Sequence, residues 1–380
     1  MIEYELPPEL IATAPAHPRR ASRLLDARAD RLSHHKFADL PELLQAGDLL
    51  VLNASHVFHA RIVGHRTDTG GKVEALLLAP PVAGTARALM KPARRLRPGT
   101  PLRFAGPSGT VDATIAGRVE DTFELVFAAD VDRCDAGIVP LPPYILAQRR
   151  RRGEPLLTAE DENSYQTVFA CREPGRGSVA APTAGLHFDE ELFERLRACG
   201  VSWAFVHLDV GPATFRPVGA EQAGSLKLPP ERFSIPAETL DRLGRMASAR
   251  GDAAGEKWHG RIVAIGTTSV RALEALAAHV LRDHGGHLGA GLQALSRTLG
   301  DAALEGWADV TITPGYRFRL VDLLVTNFHL PRSSLLLLVT AFAGERQTRI
   351  AYDVAVERRY RFYSYGDAML LAPGPEEGRQ

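Results

Sequence analysis

The chain has 380 residues, with 45 basic and 45 acidic side chains and a hydrophobic fraction of 45%. That length supports a full core and more than one domain, the balance is that of an ordinary soluble globular protein, and a formal net charge of zero leaves no global field to draw the chain to nucleic acid or membrane. The three cysteines, Cys134, Cys171 and Cys199, form no C-x-x-C pair and no metal spacing, which speaks against a disulfide scaffold and suits a reducing cytoplasm.

The N-terminal Met1-Ile-Glu-Tyr-Glu lacks the basic and apolar regions of a signal peptide. Up to Gly47 the chain reads as loop and short helix. Residues 48–53, Asp-Leu-Leu-Val-Leu-Asn, predict a buried strand. From about Ala60 to Pro140 the texture changes. Short runs at 73–78, 110–115 and 122–127 alternate with Gly, Pro and Asp clusters, and turn signals about every 10 residues predict a small antiparallel barrel or sandwich. Pro140-Leu-Pro-Pro-Tyr144 reads as an exit linker. Residues 149–163 and the Gly-rich run 284–291 read as mobile.

Residues 178–188, Ser-Val-Ala-Ala-Pro-Thr-Ala-Gly-Leu-His-Phe, are small and nearly uncharged. They place Thr183 and His187 on a tight loop before a helix that Asp189 caps and Gly200 closes. Free backbone N–H groups at that helix start would suit an anion or a polar ligand, and His187 is the side chain there that titrates near neutral pH. Beyond about residue 165 the pattern is α/β. Strands are expected at 201–208, 261–265 and 321–326, each followed by polar residues and then by a helix or a turn. In open α/β sheets that carboxyl edge is where ligands bind.

Three loops carry the candidate chemistry. Gly266-Thr267-Thr268-Ser269 offers hydroxyls at a helix N-terminus, with Arg271 placed to fork a carboxylate; helix capping is the competing explanation. Asn327-Phe328-His329 offers an amide and an imidazole, and His329 reads as a general base, an adenine contact or a structural histidine. Thr214 and Arg216 follow another strand, where Arg216 is in reach of Asp209. The run Arg149-Arg-Arg-Arg152, with Lys91, Arg94, Arg95 and Arg97, suits a phosphate backbone or simply a solvated surface. The longest apolar run, 335–343, is too short to span a bilayer. No metal constellation, Walker motif or nucleophile elbow is present.

Taken together these strings resemble the S-adenosylmethionine:tRNA ribosyltransferase-isomerase (QueA) family of queuosine biosynthesis. The matching stretches are 4–12, 22–25, 47–53, 140–145, 165–168, 178–188, 214–218, 263–271, 325–331, 341–344 and 360–369, in order from end to end. The resemblance implies an α/β (α+β) main domain with a mixed sheet, residues 1–60 and 141–380, and an inserted small antiparallel β-barrel domain, residues 61–140. It implies transfer and isomerisation of the ribosyl part of S-adenosylmethionine onto 7-aminomethyl-7-deazaguanine in tRNA, with release of adenine and methionine. S-adenosylmethionine is then a co-substrate and no tightly bound cofactor or metal is expected. His187, His329 and Thr183 become the catalytic candidates. Asn53, Tyr165, Ser178, Thr214, Arg216, Thr267, Thr268, Ser269, Arg271, Asn327 and Asp367 become the candidates for substrate binding. A cytoplasmic monomer or weak dimer is expected.

The sequence also departs from the family pattern. His56 and Ser164 stand where arginine is usual, His59 where proline is usual, and Asp209 where histidine is usual. In 226–231, where the pattern has His-x-Met-His-x-Glu, only Glu231 is kept. Two further functions stay open on these departures: the same donor chemistry on a different, non-tRNA acceptor, or a non-catalytic nucleotide- or RNA-binding protein.

Overall fold

The computed structural model describes all residues except 1, 30, 107–108, 129–136, 174, 212–225, 250–259, 284–286 and 375–380. The first hairpin, β1 (Arg23–Asp26) and β2 (Ser33–Lys36), occupies a stretch whose composition suggested loop. Such short strands carry too few alternations to be read from sequence. Helix α1 (Leu40–Leu43) leads to β3 (Leu49–Asn53), which is buried along its whole length.

A barrel follows, built from β4 (Arg61–Arg66), β5 (Lys72–Leu77), β6 (Thr85–Lys91), β7 (Pro101–Gly106), β8 (Gly109–Val119) and β9 (Thr122–Phe127). The order β4-β5-β6-β9-β8-β7 closes by pairing of β7 with β4, and β10 (Gly137–Ile138) adds to β4. Ala86, Ala88 and Met90 alternate inward from β6, as a two-residue period requires. The closure is tight at Gly64, where a Cβ would lie 2.1 Å from the Arg103 carbonyl oxygen. Glycine is thus the residue that lets β4 approach β7 there.

The remainder comprises α2 (Pro143–Arg152), α3 (Asp161–Ser164), a 3-10 turn (Thr183–His187), α4 (Glu190–Ala198), β11 (Ser202–Leu208), β12 (Glu231–Pro236) and α5 (Ala237–Ala249). It ends with β13 (Ile262–Ile265), α6 (Thr267–Asp283), α7 (Leu288–Leu299), β14 (Ala303–Ala308), β15 (Leu323–Asn327), α8 (Ser334–Ala343), α9 (Glu345–Glu357) and β16 (Ala368–Leu371). The main sheet is mixed, in the order β14-β12-β11-β3-β13-β15-β16-β1-β2. Its central strands β11, β3, β13 and β15 are parallel.

Two cores lie on opposite faces of this sheet. Leu49, Val51, Ile262 and Ala264 join the core made with α5 to α9, while Leu50, Leu52, Val263 and Ile265 face Leu192 and Leu196 of α4. The central strands are therefore apolar on both faces, which is why they read as continuous hydrophobic runs. Asp48 fixes the entry to β3. Its carboxylate accepts from the Arg261 backbone at 2.8 Å and from the Arg261 guanidinium at 2.6 Å.

The structure adds detail to two connecting segments. Residues 139–142 do connect β10 to α2, but they are buried, with Val139 and Leu141 packed against Ile145 and Tyr165, so the connection is part of the core. The stretch from Arg149 to Asn163 runs from the last turn of α2 through an exposed loop, 153–160, into α3, and a two-pronged pair from Arg149 to Asp161 at 2.6 and 2.7 Å ties its two ends together. A buried ion pair outweighs the loop-like composition. Of the run 284–291, residues 284–286 lie outside the described residues and Leu288–Gly291 begin α7.

Candidate active site

Because β11, β3, β13 and β15 are parallel, Leu208, Asn53, Ile265 and Asn327 end on one edge of the sheet. The 3-10 turn carrying Thr183 and His187 packs over that edge. Gly266 is the joint. Its φ is +88°, and a Cβ there would stand 3.4 Å from the Ala184 Cβ and 3.6 Å from the Thr268 hydroxyl. The fold thus brings the 183–187, 266–268 and 327–329 segments together.

The first arrangement is a buried chain of hydrogen bonds. Thr183 Oγ1 donates to Asn327 Oδ1 at 2.9 Å, and the Asn327 amide donates to His187 Nε2 at 3.1 Å. His187 Nδ1 then donates to Ser22 Oγ at 2.7 Å. This places the imidazole proton on Nδ1, since the amide can only donate to an unprotonated Nε2. Phe37 stacks on the ring at 4.6 Å. His187 is buried in the described structure, and burial pushes its pKa down to about 3, with Arg361 and Arg19 adding to the effect. The sequence-based expectation of an imidazole titrating near neutral pH is therefore corrected: His187 is a neutral imidazole held in one tautomer. Thr183 is the partly exposed end of this chain.

His329 is held similarly. Its Nε2 bonds Thr326 Oγ1 at 2.8 Å, its backbone N–H donates to the Tyr352 hydroxyl at 2.8 Å, and its carbonyl accepts from the Tyr4 hydroxyl. Burial alone pushes its pKa down to about 3.

The second arrangement is a cleft of about 680 Å³ between the barrel and the sheet edge, lined by Leu78, Pro80 and Thr122 on one side and Asp209, Thr267, Thr268 and Ser334 on the other. Arg271 lies in its floor but does not wait for a ligand carboxylate. Its Nη1 pairs with Glu231 and its Nη2 donates to the Ala308 carbonyl at 3.0 Å, so the expected fork on substrate is already taken inside the protein. Thr267 opens α6 instead of lying in a loop, and the Ser269 hydroxyl donates back to the Ile265 carbonyl at 2.8 Å. Asp189 caps α4 through the Leu192 N–H and pairs with Arg20 at 2.7 Å, so a carboxylate from the protein already occupies that helix start, where an external anion was expected.

Several other candidates serve the backbone. Asn53 donates to the Leu208 carbonyl at 2.9 Å and accepts from Leu208 and Ser55 N–H groups, tying β3 to β11. Ser178 accepts from the Val210 N–H at 2.8 Å and donates to the Ala180 carbonyl. Asp367 accepts from the Arg23 and Arg361 N–H groups. Tyr165 is buried among Val57, Ala181 and Leu186. Thr214 and Arg216 lie outside the described residues. Asp209 faces Arg176 at 3.5 Å instead, and burial raises its pKa. Arg152 is drawn to the Glu9 and Ile11 carbonyls, while Arg150, Arg151, Lys91, Arg94, Arg95 and Arg97 are exposed. Sequence reasoning did not find Ser22, Tyr4 or Tyr352, whose roles depend on contacts across the whole chain. Among the described residues no group of three or more His, Cys, Asp or Glu is arranged to hold a metal ion.

The model of the queuosine biosynthesis protein family matches residues 1–371. The chain belongs to this family. It is 47% identical to an S-adenosylmethionine:tRNA ribosyltransferase-isomerase of Azoarcus sp. (strain BH72), across 97% of this chain and 96% of the relative. It is 45% identical to a protein of the same name from Paraburkholderia xenovorans (strain LB400), across 97% of each. A solved S-adenosylmethionine tRNA ribosyltransferase from Thermotoga maritima is 35% identical over 97% of this chain and 98% of that one, with a TM-score of 0.48. Against the family pattern, Glu231 is the residue kept in 226–231, and it is the ion-pair partner of Arg271. His59, in place of the usual proline, pairs with Glu162 at 2.8 Å on the surface.

Proposed function

We propose that this protein transfers and isomerises the ribosyl part of S-adenosylmethionine onto 7-aminomethyl-7-deazaguanine in tRNA, giving epoxyqueuosine-tRNA, adenine and methionine. Family membership along 1–371 carries this conclusion. The convergence of Thr183, His187 and Asn327 beside the α6 N-terminus supports it. The sulfonium acidifies the hydrogens on the adjacent 5′ carbon, and a positioned base removes one to start the rearrangement. A second group must supply a proton as adenine departs. His187 and His329 are the candidates, and Thr183 is the group of the His187 chain nearest solvent.

Thr267 and Thr268 belong to the donor site in this proposal. Ser269 and Arg271 shape it from behind. The division into a main domain of residues 1–60 and 141–380 and a barrel domain of residues 61–140 follows the closed barrel, with the cleft between them receiving substrate. The exposed Lys91, Arg94, Arg95 and Arg97 on the barrel, with Arg150 and Arg151, are the cations offered to tRNA. Among the described residues no helix is long and apolar enough to cross a membrane, and a cytoplasmic monomer or weak dimer acting on tRNA is proposed.

Adenine release from S-adenosylmethionine, followed with tRNA carrying the 7-aminomethyl base, with unmodified tRNA and without acceptor, tests the assignment. Release only with the modified tRNA is expected. Release that ignores the acceptor, or none at all, refutes it.

A further inference from the structure

The floor of the cleft contains polar groups that the fold leaves without partners. Among the described residues, the Thr268 and Ser334 hydroxyls and Arg271 Nε are buried with no hydrogen bond, and all three residues line the cleft. Ser334 is 4% exposed and Arg271 5%. Buried polar groups are nearly always satisfied, so such a cluster marks a place where another molecule supplies the partners.

Two helix starts meet at this point. Thr268 is the second residue of α6, and Ser334 is the first of α8. The helices follow the adjacent parallel strands β13 and β15, so both N-termini lie on the carboxyl edge of the sheet. Each presents unfilled N–H groups and partial positive charge. Ser334 is not needed as a cap, because the neighbouring Ser333 already accepts from the Leu336 N–H. Arg271 cannot act as an anion fork, with Nη1 on Glu231 and Nη2 on Ala308. That pairing also balances the Glu231 charge beside the floor. Farther out, Glu120 and Asp121 line the same cleft, with Asp209 and Arg232, which pair with Arg176 and Glu305. An anion at the floor and cations toward the walls match a zwitterionic amino acid that also bears a sulfonium.

We infer that the paired N-termini of α6 and α8, with the Thr268 and Ser334 hydroxyls, seat the α-carboxylate of the donor's methionine half. This rests on the donor assigned under the proposed function. The subsite takes a small carboxylate; an RNA phosphate is the other anion that this chemistry would bring.

Calorimetric titration without RNA tests it, using S-adenosylmethionine and its decarboxylated analogue against wild type, Ser334→Ala and Thr268→Val. Wild type is expected to bind the carboxylate-bearing donor at least about tenfold tighter, as a charge-assisted hydrogen bond warrants. Each variant should lose several-fold for that donor and nothing for the analogue. Neither hydroxyl has a protein partner, so both variants should keep the wild-type melting temperature. Equal wild-type affinity for the two donors overturns the inference, as does equal weakening of both by each variant. If adenine release with modified tRNA persists in that case, the proposed function survives alone. Absence of binding by either donor, together with absence of adenine release, overturns both.

Discussion

The four consecutive arginines 149–152 look alike in sequence, and the structure divides them. Arg149 and Asp161 have side chains only 6% exposed. Beyond the pair itself, Arg149 donates to the Thr13 carbonyl at 2.9 Å and to the Leu156 carbonyl at 3.0 Å. One side chain therefore joins the N-terminal segment, α2, the following loop and α3. Arg149→Met keeps the aliphatic volume and removes every one of these bonds. The Asp161 carboxylate is then left buried with the Thr158 N–H still donating to it at 2.7 Å. Breaking a buried pair from one side costs about 3–5 kcal/mol, mostly as the penalty of an uncompensated charge. Asp161→Asn should cost a similar amount, and the double variant Arg149→Met/Asp161→Leu should recover a large part of it. Arg150→Gln/Arg151→Gln, at exposed positions, should change stability by less than about 0.5 kcal/mol per site. Urea unfolding midpoints at constant pH and salt measure all four. An unchanged midpoint for Arg149→Met would refute the argument, and so would a double variant as unstable as the sum of the singles.

Three further outcomes are expected. Gly266→Ala forces a Cβ onto a residue at φ +88° beside Ala184, so it should destabilise by about 1–2 kcal/mol; a midpoint equal to wild type would show that the joint relaxes freely. His329 has a folded pKa near 3 against an ordinary 6.5, so the unfolded chain binds the extra proton between those values. Its stabilisation is full above about pH 6.5 and is lost as pH falls toward 3, with a slope of up to about 1.4 kcal/mol per pH unit. Stability of His329→Gln followed over that range should show a correspondingly shallower dependence, and identical slopes would sink the claim. Asn327→Ala cuts the link between His187 and Thr183, and should lower the rate of adenine release about a hundredfold while leaving donor affinity within a few-fold; loss of affinity with an unchanged rate would assign Asn327 to binding instead.

Much of the fold was legible because burial on both faces leaves a plain mark. Strands β3, β13 and β15 are buried throughout, with apolar runs that end in polar residues, so they and their polar carboxyl edge could be read directly. The barrel was legible from the spacing of its turns. The pairing of β1 with β16 was not, because it joins Leu24 to Ala368 across almost the whole chain and neither strand exceeds four residues. Nor was the split of the arginine run. Composition gives charge, but only packing decides whether a guanidinium meets Asp161 or water.

The site was legible as positions and illegible as states. Thr183, His187 and Asn327 could be picked out one by one, yet their relation is a chain of hydrogen bonds that ends on Ser22, 165 residues from His187. The same burial that brings them together removes the property for which His187 was chosen, since an imidazole enclosed by Phe37 and Ser22 no longer titrates near neutrality. Arg271 shows the converse. As a sequence motif it offers a fork for a ligand; once folded its charge is answered by Glu231, and in the subsite inferred above the ligand-facing role passes to the unpartnered hydroxyls beside it. A motif residue can thus be indispensable to a site without touching what the site binds. Kinetic effects at His187 and Arg271 therefore have to be separated from stability effects before either is called a contact.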